Sequence, residues 1–477
     1  MAVLAIDQGT TSTRALRLDD KGSGTIVKAV THRQFYPKPG WVEHDPEELL
    51  NNIRTCIDAC MNWKTDITAL GIDNQGESCM AWDARTKTPL TRVIVWQDHR
   101  TRDIIETLKA KGKESLTLER AGLPLNSYFS AAKLGWIFST LPRARKLHTQ
   151  GRLRLGTTDA FFLDCLADAF VTDITTASRT SLMNLNTGQW DEDLCALFKV
   201  PMDTLPRIIP TSGPLGEIML KGCTLTVRAS VVDQQAALYG HGCKNTGDAK
   251  ITFGTGAFAL ALTGKAPVQA PEKGLLPTVA WQLENQNPVY ALDGGVFSAG
   301  SAVSWGKSLG LFTSYDQISD FRAEAAIERN IAFVPALSGL GCPHWDRTAG
   351  GLWIGLSLDT TPLDMMQSLL EGIVFRTAEV VAAMESLIPL SHRISIDGGL
   401  TGNPYFCQFL ADVLHREIIV PPSPELTALG TAGLAGGIPV THRSHDPDTR
   451  QFHPTTDRRS HLNRFKEAVK RASQWQS

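Results

Sequence analysis

The sequence predicts an α/β protein made of two similarly built domains with mixed sheets. Three observations predict it. Short β-rich runs alternate with helical patterns along the whole chain, which is the signature of an α/β architecture. "VLAIDQGTTSTRALRL" near the start and "AKITFGTGAFALALTG" near residue 250 share one plan: apolar strand, Gly/Thr turn, second strand. Between the halves lies "YGHGCKNTGD" at 239–248, a connector rich in Gly, Asn and Asp that places a boundary between domains 1–243 and 244–477.

Taken in order, "MAVLAIDQG" lacks a basic leader and reaches Asp7 after a few apolar residues, so it reads as a strand and not as a signal peptide. "HDPEELLNNIRTCIDACMNW" reads as a helix with Asp45 as N-cap, Pro46 in the first turn and Glu48 three residues past the cap. Its apolar stripe is Leu49, Leu50, Ile53, Ile57, Cys60 and Met61. Thr361-Pro362 and Asn403-Pro404 repeat the device of a cap followed by proline, and each opens a further helix. "TALGTAGLAGG" is dense in small residues, as suits a helix packed closely on a sheet or near a ligand.

Composition narrows the function. With 477 residues, 42% hydrophobic and 20% charged, and a mean hydropathy of −0.10, the chain has the balance of a soluble globular protein of more than one domain. A net charge of −2 speaks against a nucleic-acid-binding surface or an anionic-membrane surface, and no apolar run is long enough to span a bilayer. Nine cysteines are scattered without a paired framework, which fits reduced thiols in a cytoplasmic enzyme. Cys56 and Cys60, four apart, read as buried packing on a helix rather than as metal ligands.

The two Gly/Thr turns carry the chemistry. "DQGTTS" offers Asp7 at a strand end, Gly9 for close backbone approach, and the hydroxyls of Thr10, Thr11 and Ser12. Backbone N–H groups in such a turn form an anion nest, and the adjacent carboxylate can hold Mg²⁺ against a phosphate. An ordinary hairpin turn accounts for either stretch alone; two in matching positions point to a phosphate gripped between them. "GTGAFA" at 254–259 also fits a dinucleotide fingerprint, but that motif needs a helix after the turn, and "FALALTG" has no helical stripe. Neither a P-loop nor a His-Arg-Asp kinase loop is present.

Eleven ordered segments, among them "IDQGTTSTRAL", "GWVEHDPEEL", "VIVWQDHRT", "TTASRTSLMNLNTGQWD", "VDQQAALYG", "TFGTGAF" and "ELTALGTAGLAG", resemble the FGGY carbohydrate kinases nearly end to end. The resemblance implies two RNase-H-like domains of the actin and hexokinase type closing a cleft over ATP, Mg²⁺ and a small polyol or sugar. It implies Asp233 as general base, also beside the metal, and Asp7 as the Mg²⁺ contact. Thr10, Thr11, Ser12 and Arg14 would hold phosphates, with Gly254 and Thr255 as the second turn and Gly398, Gly399 and Asn403 bordering the nucleotide. Trp96, Tyr128 and Phe258 would line the acceptor pocket, with Glu77 and Gln234 as polar contacts. Glycerol is the first expected acceptor, a four- or five-carbon polyol or ketose the alternative, and a non-catalytic ATP-binding protein the opposing class; the family also allows a homodimer.

One departure stands out in "ALGIDNQGESCMAWD" at 69–83. The glycerol-phosphorylating members of that family carry an arginine immediately before the glutamate, and here Gly76 precedes Glu77. Val232 likewise stands where glycine is usual, and Thr176 where asparagine is usual. Loss of the guanidinium fork predicts free volume at Gly76 that a longer or differently oriented acceptor could fill.

Overall fold

The computed structural model describes residues 2–61, 67–220, 223–321, 324–440 and 448–475. Two mixed sheets organise it. In the first, an antiparallel meander of Ala2–Gln8, Ser12–Leu18 and Gly24–Thr31 continues through the parallel strands Ile67–Asn74 and Cys223–Val232, and Ser212–Leu220 closes the far edge. In the second, Ala249–Phe253, Ala257–Gly264 and Val289–Val296 form the meander. Arg393–Gly398 and Glu417–Val420 then run parallel to Ala249–Phe253 on the other side. Each sheet opens with a hairpin around a Gly/Thr turn, as the recurrence predicts. "FALALTG" is a strand, so the dinucleotide fingerprint has no helix to complete it.

The caps also form where the sequence places them. Asp45 Oδ1 accepts from the backbone N–H groups of Glu47 and Glu48, and Thr361 makes a reciprocal capping box with Asp364. Asn403 Oδ1 accepts from Phe406 N to open helix Pro404–Leu414. Helix Pro46–Met61 lays Leu49, Ile53, Cys56, Ile57 and Cys60 into the core beneath the first sheet, so these two thiols are packing residues. The Met61 and Cys223 side chains lie outside the described residues, and the other eight cysteines are free thiols.

Beneath the second sheet, Ile251, Phe253 and Ile396 pack against Leu370, Val374 and Phe375 of the long helix Pro362–Glu385. A third core joins the sheets: Val3, Ala5 and Val231 from the first meet Leu260 and Leu262 from the second, around Ala236, Leu426, Ala432 and Leu434. Here the small-residue segment does its work. Helix Leu426–Gly436 crosses helix Asp233–Gly240 so closely that a Cβ on Gly430 would sit 1.8 Å from Ala236 O, and one on Gly240 1.9 Å from Leu426 O. Among the described residues, no helix is long and apolar enough to cross a membrane.

Candidate active site

Parallel neighbours in a sheet end on the same side, and this rule builds the site. Asp7 pairs in register with Asp73, Val231 pairs with Asp73, and Asp233 follows Val232 as the first residue of its helix. Three carboxylates therefore gather at the ends of three adjacent parallel strands, the edge at which open α/β sheets place their ligands. On the facing sheet, Phe253 pairs with Gly398, so the Gly254 turn and the Gly398-Gly399 corner lie side by side.

Electrostatics mark the acidic trio. Burial raises Asp233 to about 7, and the charges of Glu77 and Asp7 push the same way. Burial also raises Asp7, and burial together with the charge of Asp7 raises Asp73 further. Asp73 Oδ2 accepts from Thr431 Oγ1 at 2.6 Å, while its Oδ1 is buried without a partner. Hard carboxylate oxygens with surplus negative charge fit Mg²⁺. Among the described residues, no group of three or more His, Cys, Asp or Glu side chains is arranged to hold a metal by itself. The donor set therefore suits an ion that arrives with phosphate oxygens, which is how Mg²⁺ is usually bound in kinases.

The acceptor side is assembled from distant segments. Trp96 and Tyr128 meet edge to face at 5.7 Å between ring centroids, and Trp96 Nε1 donates to Thr10 Oγ1 at 3.2 Å. Glu77 is buried, yet its backbone lies in the left-handed region at φ 59°, a strained conformation for a glutamate. Its carboxylate accepts from Arg179 Nε at 2.7 Å, and Arg179 Nη2 reaches across to Asp293 of the second sheet at 3.1 Å. Gln234 Oε1 accepts from the fully buried Lys250 Nζ at 2.6 Å, which fixes the amide. Phe258 is half-buried and rests against Gly295, where a Cβ would come within 3.2 Å of its ring.

At the second Gly/Thr turn and the corner beside it, Gly254, Thr255, Gly398 and Gly399 are exposed. No heavy atom would crowd a Cβ on Gly399, whereas Gly398 has φ 94° and would drive a Cβ to 2.2 Å from Phe253 O. Thr10 and Ser12 are half-buried and Thr11 is exposed. Arg14 Nη1 is bound to both carboxylate oxygens of Glu425, at 3.0 and 2.8 Å. Asn403, expected to border the nucleotide, caps a helix through Oδ1 and donates from Nδ2 to Ile318 O, so the fold uses both ends of the amide.

Gly76 also departs from its expectation. It is not in a positive-φ conformation, and a Cβ there would meet Val232 Cγ1 at 3.0 Å. The Val232 isopropyl group crowds the first carbon of any side chain placed at 76. The two substitutions thus form a steric pair, small at 76 and larger at 232. Thr176 is accommodated by donating its hydroxyl to Asn74 Oδ1 at 3.3 Å. The expectations missed Asp73, Arg179, Lys250 and Asp293. Only Asp293 had a visible signal, the acidic strand end in "VYALDGG".

Two sheets of repeated topology, with acidic strand ends on one and a glycine turn and corner on the other, define a two-domain phosphotransferase of the sugar and polyol kinase class. The profile of the "FGGY family of carbohydrate kinases, N-terminal domain" matches residues 2–240, and that of its C-terminal domain matches residues 249–437. The chain belongs to this family, and it is an ATP-dependent kinase acting on a polyol or sugar hydroxyl. It is 38% identical to a glycerol kinase from Alkalilimnicola ehrlichii, with 99% of each chain covered. It is likewise 38% identical to one from Haloferax volcanii, covering 99% of this chain and 98% of that one. Plasmodium falciparum glycerol kinase with ADP superposes with a TM-score of 0.90 at 32% identity, covering 99% of this chain and 98% of that one. A xylulose kinase from Lactobacillus acidophilus shares the fold at 20% identity, with a TM-score of 0.84 and coverage of 99% and 96%.

Proposed function

We propose that the chain transfers the γ-phosphoryl group of MgATP to glycerol, with residues 1–243 carrying the acceptor site and the base and 244–477 carrying the nucleotide site. The observation that carries this reading is Asp233: a half-buried carboxylate between the acidic strand ends and the Glu77–Tyr128 pocket, raised to about 7 by burial and its acidic neighbours. A base with that affinity takes a hydroxyl proton at neutral pH as the nucleophilic oxygen moves in line towards phosphorus.

Glu77 and Gln234 orient the remaining hydroxyls. Trp96, Tyr128 and Phe258 wall the acceptor off from water, which limits transfer of the phosphoryl group to solvent. Thr10, Thr11 and Ser12 supply donors to phosphate from one domain, Gly254 and Thr255 from the other, and Arg14 adds positive charge beside the first turn. The Gly398-Gly399 corner admits the nucleotide without side-chain obstruction. Mg²⁺ would be held by Asp7, with Asp233 adjacent, and the chemistry it supplies when bound is neutralisation of phosphate charge. Support for glycerol comes from the glycerol kinases at 38% identity over essentially whole chains. The test is ADP release from MgATP across glycerol, erythritol, xylitol, ribitol, ribulose and xylulose. Glycerol should give the highest kcat/KM, and a higher value for any longer acceptor would reassign the substrate.

A further inference from the structure

Arg179 is 4% exposed and lies on the loop that follows helix Ile174–Ser178, in the domain that carries Glu77. Two of its three nitrogens are engaged, Nε with Glu77 and Nη2 with Asp293, but Nη1 is buried and has no hydrogen-bond partner. Burial alone would lower its affinity for the proton; the carboxylates of Glu77 and Asp293 outweigh that, so the guanidinium stays charged. A charged N–H group left unpaired in a protein interior calls for a partner that the chain itself does not supply. The neighbours are those of the acceptor pocket: Glu77 on one side, the Tyr128 ring 5.9 Å away, and Asp293 of the second domain. The nearby position at which a guanidinium would otherwise stand is Gly76, where Val232 crowds the first carbon of any side chain.

We propose that Arg179 supplies the acceptor-reading guanidinium of this pocket, donating from Nη1 to one hydroxyl of a vicinal diol while Glu77 accepts from its neighbour. The inference rests on the polyol-kinase reading above and names the substrate feature that this site recognises: two adjacent hydroxyls besides simple bulk. The Asp293 contact adds a condition. Nη2 is held by the second domain, so Nη1 is aimed at the acceptor only when the domains are together.

Steady-state kinetics of wild type, Arg179→Lys and Arg179→Ala with glycerol test this. Arg179→Lys keeps the charge for Glu77 and loses the fork, and should raise KM for glycerol about ten- to a hundredfold, the range for losing a hydrogen bond to a charged group, with KM for MgATP within about twofold. Arg179→Ala should lose activity and regain it on addition of methylguanidinium, which fits the vacated space; a thermal melt of each variant checks that it is folded. Unchanged glycerol KM in Arg179→Lys would overturn the assignment while leaving the polyol-kinase reading intact. Equal rises in both KM values without rescue would make Arg179 a structural ion-pair partner instead. A wild type that phosphorylates none of the six acceptors would remove both the reading and the inference.

Discussion

Trp96 Nε1 donates to Thr10 Oγ1 at 3.2 Å, which ties the Trp96–Tyr128 pair, proposed to wall the acceptor, directly to the first Gly/Thr turn. One hydrogen bond thus spans the two substrates' territories. Trp96→Phe keeps the ring and deletes the donor, so it should raise KM for MgATP as well as for glycerol, each about three- to tenfold. Initial-rate kinetics with both substrates varied would check this, and an effect confined to glycerol would show that the turn holds its shape unaided.

Asp233→Asn preserves shape and removes the proton acceptor. Turnover should fall about 10²- to 10⁴-fold while MgATP still binds, as followed by calorimetry. In the wild type, activity needs the ionised carboxylate, so kcat/KM should climb as pH rises through about 7 and then level off. A profile flat from pH 5 to 8 would contradict this role.

The same shift has a signed effect on stability. Asp233 is raised to about 7 in the fold against 3.8 unfolded, so the native state holds the proton more tightly and stability drains away as pH rises across that window. Asp233→Asn should therefore melt several degrees above wild type at pH 8, with the difference disappearing near pH 3.5. Thermal melts without Mg²⁺ at the two pH values would show it. Enzymes often hold such strain where they need chemistry.

Asp7→Ala removes one of two neighbouring carboxyls whose proton affinity burial raises. It should raise the Mg²⁺ concentration needed for half-maximal turnover by at least about tenfold and leave the melting temperature unchanged or higher. Titration of activity against Mg²⁺ reads the first effect and a melt reads the second.

Gly76→Arg alone should impair every acceptor, because its Cβ begins 3.0 Å from Val232 Cγ1. Gly76→Arg combined with Val232→Gly should recover activity, with kcat/KM for glycerol raised relative to xylitol. If the single variant were as active as the double, the two positions would not be sterically linked.

Local signals were legible where one segment determines the outcome. Caps followed by proline gave Thr361 and Asn403, and a Gly/Thr turn between apolar runs gave both hairpins. The roles proposed for Asp233 and the pocket aromatics came only from ordered motifs shared with a kinase family, since a lone aspartate at a strand end has many uses. Arg179 and Asp293 stayed hidden because they come from different domains and no spacing relates them. Lys250 was hidden for a similar reason: a lysine in a strand ordinarily points to water, and only its contact with Gln234 shows that it is buried. Gly76 drew attention to a missing side chain, while the unusual backbone belongs to Glu77, the residue with positive φ. The small five-stranded sheet of strands two to five residues long, with Val93–Ile94 at its centre, was too short in each strand for alternation to register.

The crossing of Gly240 over Leu426 and of Gly430 over Ala236 lies on the same eight-residue helix that begins with Asp233. Backbone touching backbone leaves no side chain to act as a cushion there, so a rotation of one domain against the other is delivered to that helix as a lever is moved at its fulcrum. Asp233 sits at the opposite end, where the helix leaves the sheet. An open molecule would then hold ATP with its proton acceptor tilted out of line, and water entering the cleft would find the reagent present but the trigger unset. Thrift with ATP, on this geometry, would be a property of a glycine contact that lies about ten ångströms along the helix from Asp233, roughly the length of a seven-residue helical arm.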